Sequence, residues 1–125
     1  MHLITQPLPA GILSLANTED VLVLRDALRG VTAVALHFPK WTDGRAYSQA
    51  VLLRNRLRFG GEIVATGEVV VDMLPLLRRC GFDAAQLRAD QDPGLADRML
   101  ASLPGPFPGH YQHDAATGVG TQVSA

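Results

Sequence analysis

Lys40, Trp41, Asp43, Arg45, Tyr47 and Ser48 crowd into one stretch, Phe38 to Ala50, of a 125-residue chain. Side chains of these types can hold an oxyanion, move a proton or act as a nucleophile. Guanidinium and ammonium groups suit a carboxylate, a phosphate or a related oxyanion. A tyrosine beside a serine resembles half of an acid–base pair. Neighbouring helix residues face different directions, however, and no base or orienting group accompanies Ser48. Tyr47 at the edge of a core, with Ser48 as a polar helix position, is the plainer reading.

His37 lies just upstream. Strand alternation puts it on one face with Ala33 and Ala35, opposite Val34, Leu36 and Phe38. A hydrogen-bonded packing histidine is expected; a general base at a pocket edge is the sharper alternative. Cys80 follows Arg78 and Arg79 at an expected helix end. The arginines would lower its pKa and the negative helix end opposes them, so an inert buried thiol is expected. As the only cysteine it excludes an internal disulfide and an intrachain dithiol cycle. His110, His113 and Asp114 are metal-ligating types, but they sit in a Pro/Gly-rich tail with no fixed spacing. A structural zinc site needs about four ligands, and no metal site is expected. There is no Gly-rich dinucleotide fingerprint, Walker loop or cysteine cluster, so no cofactor is expected.

Local signals along the chain predict the strands and helices around these residues. Gln6 to Gly11 is a loop by its Pro and Gly content, and Ile12 to Ala16 reads as a first strand. Asn17 to Asp20 reads as a helix start, with Asn17 or Thr18 as cap; Val21, Leu24 and Leu28 keep helical spacing up to Gly30. Val31 to Phe38 is the clearest strand, a nearly continuous apolar run of the kind covered on both faces. The loop Lys40–Arg45 leads into a helix to about Arg58, with Ala46, Ala50, Leu53 and Leu57 as its buried stripe. Tyr47 and Val51 widen that stripe, and Arg54 and Arg58 lie towards the other side. Gly60 and Gly61 stop it.

Glu62 to Thr66 is a third strand, closed by Gly67, and a further helix ends at Cys80 with Gly81 as its stop. A proline deep inside that helix would cost about 3 kcal/mol, so Pro75 belongs in the first turn, with Asp72 as cap. Phe82 to Arg88 reads as a turn and a short fourth strand. Asp92 then caps a last helix, with Pro93 at its first position and Leu95, Met99 and Leu103 as its apolar face. Residues 1–103 thus form a single α/β domain. Residues 104–125, rich in proline and glycine and then small and polar, are expected to be a mobile tail.

About four successive βα units imply a small parallel sheet, as an open sheet or a half-βα-barrel-like arc. Its carboxyl-end edge, where ligands bind in such folds, would gather Lys40, Asp43, Arg45, Thr66, Glu68, Arg88 and Asp90. An anion or partner site there is the functional reading. The plainer one makes Asp43 a helix cap, Arg45 a partner of Glu68 or Asp90, and Lys40 solvated. Exposed strand edges also suggest a homodimer.

Composition bounds the classes that remain. An apolar fraction of 47%, a charged fraction of 18% and a net charge of −1 describe a globular domain with no pull on nucleic acid. No run approaches the roughly 20 apolar residues of a membrane span, and Met1 to Ile4 does not start a signal peptide. Cytoplasm is the expected location. Ten arginines against Lys40 alone suit surface ion pairs as well as oxyanions.

Phe38, Pro39, Trp41, Asp43, Gly44, Arg45, Tyr47 and Ser48, then Leu52-Leu53-Arg54, then Gly61-Glu62, Ala65, Gly67 and Asp72, and finally Arg78, Arg79, Cys80, Gly81, Phe82 and Asp83, form an ordered motif set. It resembles a bacterial family of unknown function whose members carry the label of an oxidoreductase involved in sulfite reduction. The resemblance covers about residues 12 to 90, and the tail after about residue 105 does not look like family core. Pro75 departs from it. It implies an accessory protein of assimilatory sulfite reduction, with sulfite reductase as the expected partner and gene neighbourhood rather than chemistry behind the label. A small enzyme using Lys40, Asp43, Arg45 and Tyr47, and a structural dimer component, are the other readings.

Overall fold

The computed structural model describes residues 1–8 and 10–103. Its centre is a five-stranded, wholly parallel sheet: β1 (His2–Leu3), β2 (Leu13–Leu15), β3 (Ala33–Phe38), β4 (Glu62–Gly67) and β5 (Ala84–Ala85), in the order β1-β5-β4-β3-β2. Three α-helices accompany it: α1 (Arg45–Asn55), α2 (Leu74–Cys80) and α3 (Pro93–Ser102). The α/β fold with a small open parallel sheet is the one the alternation of apolar runs and helical stripes predicts. β3 and β4 pair along their full length, Ala33 opposite Glu62 and Phe38 opposite Gly67.

A fifth strand is the main departure from the expected four units. His2–Leu3 pairs with Ala84–Ala85, the His2 N–H donating to the Asp83 carbonyl and the Ile4 N–H to the Ala85 carbonyl, both at 2.9 Å. Two residues carry no periodicity, so only the pairing itself makes them a strand. β1 and β2 lie at opposite edges, and the chain joining them crosses one sheet face. That face presents the small residues Ala35, Val64 and Ala84, against which Ile4, Leu8 and Ile12 pack. Small side chains leave room there for an irregular segment instead of a helix. On the other face Val34, Leu36, Phe38, Ile63 and Ala65 meet Ala46, Ala50 and Leu53 of α1 and Leu74 and Leu77 of α2, all buried.

The helix expected between Asn17 and Gly30 is instead two 3₁₀ turns, Val21–Leu24 and Asp26–Leu28. A 3₁₀ turn rises further per residue than an α-helix and suits a short crossover. Asp20, not Asn17, caps the first turn, accepting from the Leu22 N–H at 3.0 Å. α1 ends at Asn55, short of the glycines, because Arg58 adopts a left-handed conformation, φ +55°, and turns the chain. α2 carries Pro75 in its first turn and ends on Gly81, φ +107°, as its sequence signals require; the turn Val71–Met73 takes up Asp72. Asp92 caps α3 through the Gly94 N–H, but its inner face is Ala96, Met99 and Leu100, and Leu95 is exposed. The proline- and glycine-rich stretch from residue 104, including His110, His113 and Asp114, lies outside the described residues.

Arg54 is the largest correction to a side chain's place. Helical spacing puts it outside the apolar stripe, yet it is only 1% exposed. Its guanidinium donates to the carbonyls of Phe59 (2.8 Å), Gly61 (2.7 Å) and Gly81 (2.9 and 3.1 Å) and to the Asp83 carboxylate at 2.5 Å. Asp83 also accepts from the Ile63 N–H at 2.9 Å. One planar fork therefore ties the loop before β4 to the loop before β5, a geometry suited to arginine and not lysine.

Candidate functional site

The carboxyl-end edge of the sheet carries two polar clusters. The first is built on the loop between β3 and α1. Asp43 accepts from the Arg45 backbone N–H at 3.1 Å and from its guanidinium at 2.8 to 3.3 Å. Asn17, buried just after β2, donates to the same carboxylate at 2.8 Å. The Arg45 bonds hold the Asp43 carboxyl well below the usual carboxylate range, and Asn17 adds to this. Gln49, buried on α1, donates to the Ala16 and Glu19 carbonyls at 2.9 and 3.0 Å, fastening the loop after β2 to the helix.

Arg88 makes the second cluster, in the loop after β5. It bonds Asp90 at 2.6 and 2.8 Å and Glu68 at 3.2 Å. Hydrogen bonds from Arg88 bring the Asp90 pKa down to about 2. The same bonds, to Asp90 first and then Glu68, raise that of Arg88 above its ordinary range. Among the described residues no hydrogen bond or ion pair joins this cluster to Asp43 and Arg45. Arg45 pairs with Asp43, its neighbour, and not with Glu68 or Asp90.

Between the clusters, on the small-residue face, lie Thr66 and His37. The Thr66 hydroxyl donates to the Leu36 carbonyl at 3.4 Å. His37 is exposed, not packed. Gly67, φ +91°, borders its ring: a Cβ there would stand 2.7 Å from the imidazole and 2.4 Å from the Phe38 carbonyl oxygen. Glycine is thus required both by the backbone and by the space.

Tyr47 sits edge-on to Phe38, 5.1 Å between ring centroids, and to Phe82, 6.5 Å. Burial pushes its phenol pKa up. It is a core-edge aromatic, and Ser48 is exposed on the helix, as the plainer reading has them. Burial also raises the Cys80 thiol, outweighing Arg79. Lys40, Pro39 and Trp41 are exposed, Trp41 at 57%. Arg79 is also exposed, whereas Gly81, Phe82 and Asp83 serve the loop anchored by Arg54.

Asn17, Gln49 and Arg54 are the site and scaffold residues that sequence spacing misses. Each finds its partner across about 25 or more residues or at a loop carbonyl, and neither leaves a local signal. A cavity of about 750 Å³ opens beside Arg88, lined chiefly by Ile4, Pro7, Leu8, Leu87 and Pro93 with Gln86. Gln86 donates to the Gln6 carbonyl at 3.1 Å and Gln91 holds the Val71 N–H at 2.9 Å, so much of its polar lining is engaged internally. Among the described residues no group of three His, Cys, Asp or Glu side chains is placed to hold a metal, and no helix is long and apolar enough to cross a membrane.

No curated protein and no solved structure matches the chain. A family model does, over residues 12–120. The match runs beyond residue 90, where the motif resemblance ends, and takes in residues 105–120, which the resemblance left outside the family core. With most of its length matched, the chain belongs to the family described as "Bacterial protein of unknown function (DUF934)".

Proposed function

We propose that this protein is an accessory factor of assimilatory sulfite reduction that docks sulfite reductase through its βα-loop edge and carries no redox cofactor of its own. The observation behind the docking reading is Trp41. It stands 57% exposed at the carboxyl end of β3, on a loop that Asp43 clamps to Arg45 and Asn17. Exposed tryptophans on rigid loops are typical anchors of protein interfaces. Arg45 and Arg88 are already met by carboxylates, so the edge offers an aromatic and mixed charge more than a cradle for a free anion. The sulfite reductase assignment is supported by the motif resemblance alone.

The test is capture of sulfite reductase by the tagged full chain, with Trp41→Ala as control. Because Trp41 is exposed, the variant keeps its fold and loses capture by about tenfold or more, the scale of a hot-spot residue. Failure to capture the reductase, together with normal growth on sulfate after gene deletion, sinks the proposal. A dimer mass in light scattering that Trp41→Ala converts to a monomer would assign Trp41 to self-association instead.

A further inference from the structure

The opposite edge of the sheet holds a second candidate site, independent of Trp41. A cavity of about 300 Å³ lies at the amino ends of β3 and β4, between the turn Arg25–Val31 and the loop Leu57–Gly61. Three arginines are among the residues that line it, Arg25, Arg29 and Arg58, together with the apolar Leu28, Val31 and Phe59. Arg29 has Asp26 at 3.5 Å. Arg25 and Arg58 have no carboxylate or other side-chain partner among the described residues, unlike Arg45, Arg54 and Arg88. Cations without counter-charges leave a positive potential that favours an anion.

Two further observations mark the place. Arg58 is the one described non-glycine residue with a positive φ, +55°, and such backbone strain concentrates where a side chain has a task. The loop beneath it is also fixed in advance. Arg54 grips the carbonyls of Phe59 and Gly61 on either side of Gly60, so the backbone that carries Arg58 is held from below. The volume falls at the lower end of small-molecule sites, larger than a bare oxyanion needs. Apolar residues beside three arginines suit a charged head with an organic body.

We infer that this cavity binds a small organic phosphate or sulfate monoester, its oxyanion held by Arg25, Arg29 and Arg58 and its body lying on Leu28, Val31 and Phe59. The experiment is amide-shift NMR on the full chain at low salt, titrated with phenyl phosphate, phenyl sulfate, inorganic phosphate, sulfate and phenol. At least one ester should saturate about tenfold tighter than its inorganic ion and than phenol, with shifts centred on residues 25–31 and 57–61. Arg25→Gln and Arg58→Gly should each weaken it by about tenfold or more. Arg58→Gly remains folded, since glycine accepts this backbone conformation freely. Inorganic ions binding as well as either ester would mean an adventitious ion only. Phenol binding equally well, unchanged affinity in both variants, no saturable binding, or shifts centred on Lys40–Arg45 would each likewise overturn the inference.

Discussion

At the residue scale, charge alone does not make an arginine available. Arg45 and Arg88 look like ligand-binding residues in the sequence, and each is engaged by a carboxylate two positions away. The pairing has a pH signature. Asp90 titrates at about 2 instead of the ordinary 3.8, so whatever it adds to stability is complete above about pH 4 and is lost as pH falls towards 2. In Arg88→Gln the Asp90 carboxyl should return towards 3.8 in an NMR titration; a value still near 2 would assign the shift to another cause. Arg58 offers the reverse case, a residue whose backbone works against it. A left-handed L-residue costs about 1–2 kcal/mol, while glycine loses about 0.5–1 kcal/mol of chain entropy on ordering. Arg58→Gly should therefore raise stability by about 0.5–1 kcal/mol in urea unfolding, and a fall would show that Arg58 stabilises the fold.

Secondary-structure elements are joined at the amino-end edge by Arg54. Its fork replaces water at three loop carbonyls and pairs with Asp83 in the same stroke. Removing one partner of a buried pair strands the other, so Arg54→Met should cost about 3–5 kcal/mol in denaturant unfolding. Arg54→Lys should also destabilise, because one ammonium cannot span acceptors from Phe59 to Asp83. A loss under about 1 kcal/mol in the methionine variant would mean that the loops hold themselves. The carboxyl-end edge is organised differently, by short-range pairs and by Asn17 reaching across from β2. One edge is thus anchored by a buried charge, and the other by exposed ion pairs backed by the buried amides of Asn17 and Gln49.

For the whole molecule, the N-terminal segment is structural. It supplies an edge strand and covers Ala35, Val64 and Ala84 with Ile4 and Leu8. Deleting residues 1–8 uncovers that face and frees the β5 edge. The truncated chain should melt lower and bind a hydrophobic dye, whereas an unchanged melting temperature would show the segment to be dispensable. The edges that remain are two and three residues long, which limits edge-to-edge pairing. A self-associated form would have to rest on side chains such as Trp41, Val51, Leu76 and Leu95, all exposed.

Local chemistry along the chain accounts for several of these elements. A run of β-branched and apolar residues made β3, a stripe of Ala46, Ala50 and Leu53 made the inner face of α1, Gly81 closed α2, and Asp92 with Pro93 opened α3. It also brought Lys40, Asp43 and Arg45 to the carboxyl-end loop, because parallel strands leave every such loop on one edge. Other features exist only through contacts made on folding. His2–Leu3 is a strand only because Ala84–Ala85 lies beside it. Arg54 is inside only because loop carbonyls from distant segments meet there and need donors. Arg25, Arg29 and Arg58 share a cavity only because two crossovers end side by side. Each of these rests on partners far apart in the chain, and spacing along a sequence records neighbours in the chain, not neighbours in space.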